Sequence, residues 1–400
     1  MFHNPRFTIV TGVLLMSALI TARSPAATFE EELAFLQKHT EVQVLQDGQR
    51  KVVVSPKLQG RVLLSSYGGS GTPALGWINH AAFETPESQT LPFNNYGGAE
   101  RFWLGPEAGQ FALYFKSGAR QEPANWFVPK AFDTGAFEVR KSAGSAAVMH
   151  RDNLELDNAA GTHFKLTVDD RSIILMTRDQ VEDVTGPVAG VDWVGFQSSN
   201  RIQNNGLTAW TPASGTVGIW TLGMFVATPH TWVVVPIRAS GSGPTVKDDY
   251  FGKVPAERLR QVKEKSVLMF RADGKLRSKI GISPTRSLDI VGSIDFENNI
   301  VTVVRYDPPA TGEKRYVNNM WEVPQADPFG GDAIQSYNDG TLGFYELETS
   351  SPAAFLGTGE TLVHTSRTIH LHGPPEKLDP IIQRTFRATL AELKATADER

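Results

Sequence analysis

Leu342-Gly-Phe-Tyr-Glu-Leu-Glu-Thr-Ser-Ser-Pro352 and Gly359-Glu-Thr-Leu-Val-His-Thr-Ser-Arg-Thr-Ile-His-Leu-His372 are two runs of strand length separated by a short Pro- and Gly-containing connection. Side chains alternate across a strand, so Glu346 and Glu348 share one face of the first run and Tyr345 and Leu347 the other. In the second run Val363, Ile369 and Leu371 fall together, with His364, His370 and His372 opposite. The spacing predicts a hairpin across Ser350 to Gly359, in which carboxylates and imidazoles share a surface. That surface could run general acid and base chemistry, since a buried Glu can keep its proton to higher pH and His titrates near neutrality. It could also take a metal through His370, His372 and a Glu, although a solvated strand face with hydrogen-bonded imidazoles is the plainer reading.

The pattern repeats on both sides of this pair. Val52 to Val54, Arg61 to Tyr67, Phe111 to Phe115, Thr162 to Val168, Val191 to Gln197, Trp232 to Ile237 and Ile300 to Tyr306 are among more than a dozen β-branched or aromatic runs bounded by Gly, Pro, Asn or Asp. The fold class expected is therefore all-β, one large antiparallel sandwich over residues 28–373 with no linker to divide it. Helical spacing appears at Phe29, Leu33 and Leu36 behind Thr28 as N-cap, and at Leu378, Ile381, Ile382, Phe386, Leu390 and Leu393. These predict a short N-terminal helix and one C-terminal helix over 374–400, with a third short helix at Pro255 to Lys265.

Composition narrows the function classes. The 400 residues contain no Cys, which excludes disulfides, thiolate metal sites and cysteine nucleophiles. A formal charge of -4 and the absence of any Lys/Arg run argue against nucleic acid as a partner. Arg6 followed by the uncharged apolar stretch Thr8 to Ala22, with small residues at Ser24 and Ala26, has the form of an export signal over residues 1–27, too short to span a bilayer. Its removal after Ala26 would leave 37 Lys and Arg against 43 acids, a net charge of -6. A periplasmic or secreted protein with no stable membrane insertion is the expectation.

A second constellation is Asn94-Asn-Tyr-Gly-Gly-Ala-Glu-Arg-Phe-Trp-Leu-Gly-Pro-Glu107. Alternation sends Arg101 and Trp103 to one face and Phe102 and Leu104 to the other. A guanidinium beside an indole is suited to a sugar or a carboxylate: the fork takes two oxygens and the ring plane covers the apolar face of a pyranose. The same pair could simply pin a loop. Trp210 and Trp220 could form a second aromatic platform, or pack in the core. Asp327, Asp332 and Asp339 lie in a Pro/Gly-rich stretch that could hold Ca²⁺ or only cap turns.

Together these stretches resemble the galactose mutarotase-like superfamily, which includes the aldose 1-epimerases, and in particular a secreted branch of it without a defined activity. The resemblance is carried by Leu58-Gln-Gly-Arg-Val, Gly76-Trp-Ile-Asn, the Gly97 to Phe111 block, Ile219-Trp-Thr-Leu-Gly-Met-Phe and the Tyr345 to Leu371 block. Glu348-Thr-Ser, Pro352, Gly359-Glu and His364-Thr follow in the order of an epimerase's late strands, and the resemblance implies an antiparallel supersandwich with Glu348 as base. The family's substrate-binding Asn-Arg pair has a looser counterpart in Arg101, preceded here by Glu100. The family's general-acid histidine has none, since Asn200 to Phe225 contains no His; the substitutes the sequence offers are His150, His163 or a residue of the His364 strand.

The expectation is an exported protein that binds a carbohydrate or sugar acid without a cofactor. Arg101, Trp103, Glu107, Trp210 and Trp220 would bind, while Glu348, Glu346 and His364 would act at an anomeric carbon. A non-catalytic polysaccharide-recognition module and a structural envelope protein with a vestigial groove are the alternatives.

Overall fold

The β-branched runs pair into three antiparallel sheets of three, ten and five strands in a computed structural model that describes residues 27–69, 71–85 and 93–399. The expected export signal lies outside the described residues apart from Ala27. The all-β antiparallel sandwich anticipated from the strand pattern is present. No helix among the described residues is long and apolar enough to cross a membrane.

The predicted hairpin does not form. Phe344–Ser350 lies between Ile334–Asn338 and Gly218–Val226 in the five-stranded sheet, whereas Thr361–His372 lies between Ile300–Tyr306 and Asp192–Asn204 in the ten-stranded one. The reason is burial. Every residue of Phe344–Ser350 is buried, so neither edge of the run is left to solvent and both faces are covered. The first run meets the ten-stranded sheet face to face across the sandwich: Thr349 Oγ1 hydrogen-bonds His364 Nε2 of the second run at 2.8 Å, and Tyr345 Oη meets Ser293 Oγ of the Ile290–Asp295 strand at 2.7 Å. The connection between them crosses from one sheet to the other, tied by Ala354 N donating to Val217 O at 2.7 Å.

Polar groups occupy part of this inter-sheet layer. Arg171, with none of its surface exposed, donates to Gly60 O at 3.0 Å and to Glu100 Oε1 at 2.8 Å. Val62 bridges Glu100, so alternation turns Arg61 to the Arg101 side, where it donates to Gly97 O at 2.9 Å and burial pushes its guanidinium down to about 9, with the Arg101 charge adding to the fall. Glu100, next to Arg101 in sequence, thus points into the layer opposite to it.

The N-terminal helix is Phe29–His39, started by a capping box between Thr28 and Glu31. The C-terminal segment is two helices, Pro375–Phe386 and Leu390–Asp398. Arg387 adopts a left-handed φ of 62° and ends the first, and Thr389 with Glu392 caps the second. Both cover the outer face of the ten-stranded sheet, with Leu378, Ile382, Phe386 and Leu393 in one cluster with Val301, Val303, Ile369 and Leu371. Pro255 to Lys265 is a 3₁₀ turn, Ala256–Arg258, leading into the strand Leu259–Gln261, because the edge of Val267–Arg271 is there to be paired. Phe111 to Phe115 forms turns rather than a strand, and Arg178–Thr185, capped by Thr177 and Gln180, is a helix the periodicity did not indicate.

Candidate functional site

The five-stranded sheet runs in the order Ser278–Ile282, Ile334–Asn338, Phe344–Ser350, Gly218–Val226, Arg101–Gly105. Its register aligns Arg101 with Leu222 and Glu348, Trp103 with Trp220, and Glu346 with Tyr337 and Lys279. Residues in register share a face. Five strands thus bring Arg101, Trp103, Trp220, Leu222, Glu346, Glu348, Tyr337 and Lys279 onto the side turned away from the inter-sheet layer. That face is the floor of a cavity of about 490 Å³.

Arg101 and Glu346 form an ion pair, Nη2 donating to Oε1, across the intervening Gly218–Val226 strand. The Arg101 guanidinium lies 4.6 Å from the Trp103 ring centroid. Burial pushes the Glu346 carboxyl up to about 7, against the pull of Arg101 and with the neighbouring Glu348 charge adding to the rise. A second pair lies beneath. Glu348 is 0% exposed, and its Oε2 accepts from Trp220 Nε1 at 2.8 Å and from Lys279 Nζ at 2.9 Å. Lys279 Nζ is also 4.8 Å from the Trp220 ring and 5.4 Å from the Tyr250 ring. Glu348 Oε1 is buried without a hydrogen-bond partner.

Glu107 enters the cavity just past the Arg101–Gly105 strand, its backbone N–H fixed on Asn319 Oδ1 at 2.8 Å. Burial raises its carboxyl; Lys279 pulls it down and Glu348 adds to the rise. The walls are aromatic. Trp103 meets Trp220 at 5.8 Å and 78°, and Phe93 meets Trp126 edge-on at 5.4 Å. Trp103 Nε1 donates to Phe132 O at 3.1 Å, which fixes the ring plane.

Among the residues singled out from sequence, Arg101, Trp103, Glu107, Trp220 and Glu346 line this cavity together. Glu348 sits below its lining, covered by Trp220 and Lys279. His364 does not join them: alternation on a strand of the other sheet puts it in the inter-sheet layer, where burial pushes its imidazole down to about 4. His370 shares that layer, bonded to Thr302 Oγ1 at 2.9 Å, while His372 stacks on Tyr67 at 5.4 Å. His370 and His372 line a different hollow, of about 680 Å³. Trp210 is a core residue, edge-on to Phe164 at 5.5 Å, so it forms no platform with Trp220. His150 lies near Glu138 and Asp152, and His163 bonds Asp157, all outside the cavity.

Asp327, Asp332 and Asp339 are engaged separately, Asp332 with Tyr250 Oη at 2.6 Å and the other two with backbone N–H groups of their own turns. Among the described residues no group of three or more His, Asp or Glu is gathered as a metal would require. Lys279, Arg277, Phe93 and Trp126 were missed from sequence. The alternation in Arg277-Ser-Lys-Ile-Gly-Ile, with a lysine inside an otherwise apolar strand, was the available signal.

The chain belongs to the family of unknown function DUF6786, whose model matches residues 27–397. A comparison with curated proteins found no match. Solved structures similar to the chain include one described as a candidate aldose 1-epimerase from Escherichia coli K12, 11% identical over 84% of this chain and 99% of that one, with a TM-score of 0.49. Another is a galactose mutarotase-like protein from Lactobacillus casei, 11% identical over 83% and 100%, with a TM-score of 0.48. A third is a galactose mutarotase related enzyme from Lactobacillus acidophilus, 10% identical over 83% and 98%, with a TM-score of 0.45.

Proposed function

We propose that this member of the DUF6786 family binds a carbohydrate or sugar acid in the cavity above the five-stranded sheet. The observation that carries the reading is the convergence of aromatic walls with a charged floor on one sheet face. Ring planes cover the apolar face of a pyranose, and charged groups fixed beforehand by one another hydrogen-bond its hydroxyls without a reorganisation cost.

Chemistry at the anomeric carbon is the finer part of the reading. Ring opening needs one group to take the anomeric hydroxyl proton and another to protonate the ring oxygen as the bond from the anomeric carbon to that oxygen breaks. Glu107 and Glu346 reach the cavity with carboxyls that burial raises, so a carboxyl can supply the proton that a histidine supplies in epimerases. Glu348 as acceptor follows from the resemblance, with its unpartnered Oε1 in support. A non-catalytic recognition module is favoured by a different observation, the complete burial of Glu348 in its pair with Lys279. The reading includes export, supported by the Arg6 to Ala22 stretch and tested by mass spectrometry of the natural protein's N-terminus.

The experiment is calorimetry of the protein against a saccharide panel, with mutarotation followed by polarimetry, repeated on Glu348→Gln. Binding with turnover that the substitution abolishes supports anomeric chemistry. Binding without turnover in either protein supports recognition alone, and absence of binding overturns the proposal.

A further inference from the structure

Of the three cations that line the cavity, two are already engaged: Arg101 with Glu346 and Lys279 with Glu348. Arg277 at the rim is different. It is exposed and forms no ion pair among the described residues. Its guanidinium is nevertheless held in place: the carbon lies 3.8 Å from the Phe251 ring centroid, and Nε donates to Tyr337 Oη at 3.2 Å. Tyr337 is anchored by the register that pairs it with Lys279 and Glu346. Among the described residues both terminal nitrogens of a pre-positioned fork therefore remain without a hydrogen-bond partner, at the mouth of a cavity whose other cations each face a carboxyl partner.

A planar fork whose Nη1–Nη2 edge is free matches the two oxygens of a carboxylate end-on. The surrounding charge limits the ligand further. Glu107, Glu346 and Asp339 also line the cavity, so one unpaired cation suits a monoanion, whereas a phosphate dianion would face uncompensated charge there. Building on the carbohydrate reading, we infer that the ligand is a sugar carrying a carboxylate, a uronate, whose carboxylate is gripped by Arg277 while its ring enters between the aromatic walls.

The test is calorimetry of the protein, Arg277→Gln and Arg277→Lys with galacturonate and glucuronate, with galactose and glucose, and with glucose 6-phosphate. A bidentate charge-assisted contact at a partly exposed rim corresponds to about a tenfold or larger gain in affinity. The uronate is expected to bind at least about tenfold more tightly than its parent hexose. Arg277→Gln should erase that preference, and Arg277→Lys, which keeps the charge but not the fork, should restore only part of it. Uronate affinity unaffected by Arg277→Gln, equal binding of uronate and hexose, or tighter binding of the sugar phosphate overturns the inference while leaving the carbohydrate reading intact. Failure of every sugar to bind overturns both.

Discussion

Replacing Glu348 by Gln tests whether the floor of the cavity is electrostatically organised as described. The substitution preserves shape and leaves an acceptor for Trp220 Nε1, but it removes the charge facing Lys279 Nζ at 2.9 Å. Lys279 is 4% exposed, so water cannot replace that partner. Breaking a buried pair by removing one member costs about 3–5 kcal/mol, and the amide oxygen that still accepts from Lys279 Nζ recovers about 1 kcal/mol of it. The expected loss is about 2–4 kcal/mol of unfolding free energy, read from urea denaturation followed by tryptophan fluorescence. Lys279→Met should be costly for the mirror reason. The double variant should lose less than the sum of the two by about 1.5 kcal/mol or more, because neither charge is then stranded. A loss below about 1 kcal/mol for Glu348→Gln, or strict additivity in the cycle, would refute the reasoning.

Glu346 keeps its proton in the fold up to about pH 7, whereas the unfolded chain releases it near 4.5, so its contribution is complete at low pH and is lost as pH rises through 7. Urea midpoints between pH 4.5 and 7.5 should therefore fall less steeply with rising pH in Glu346→Gln than in the unaltered protein. His364 has the opposite sign. Burial lowers it to about 4 from an ordinary value of 6.5, so its stabilisation is complete above pH 6.5 and is lost as pH falls towards 4, a dependence that His364→Gln should flatten. Gly97 has a φ of +83°, and a Cβ there would lie 2.1 Å from Trp77 O, so Gly97→Ala should cost more than about 2 kcal/mol by the same denaturation assay. Trp126 is half-buried on the cavity wall, and its replacement by Ala should weaken sugar binding about tenfold in calorimetry with little change in the urea midpoint.

Much of this architecture was legible because strand alternation is a local property. The faces of Arg101, Trp103, Glu346 and Glu348 follow from period two alone, and Thr28 ahead of Phe29, Leu33 and Leu36 announces the first helix. Which strands become neighbours is not local. The short link from Ser350 to Gly359 suggested a hairpin, but the first run is buried along its whole length and each run takes two lateral neighbours within its own sheet, so the link became a crossover between sheets. That single difference removes His364 from the surface that carries Glu348 and brings in Lys279, which is about 70 residues distant in sequence from its partner. Arg387 in the left-handed region was equally unreadable, since that conformation is usually marked by Gly.

The most direct test is a crystal structure of the protein grown with the tightest-binding saccharide of the panel. The account predicts a sugar ring seated against Trp126 and Trp103 above the Arg101–Glu346 pair, with its anionic group at Arg277. A ligand found instead in the hollow beside Tyr67 and His372, with the aromatic cavity empty, would contradict it.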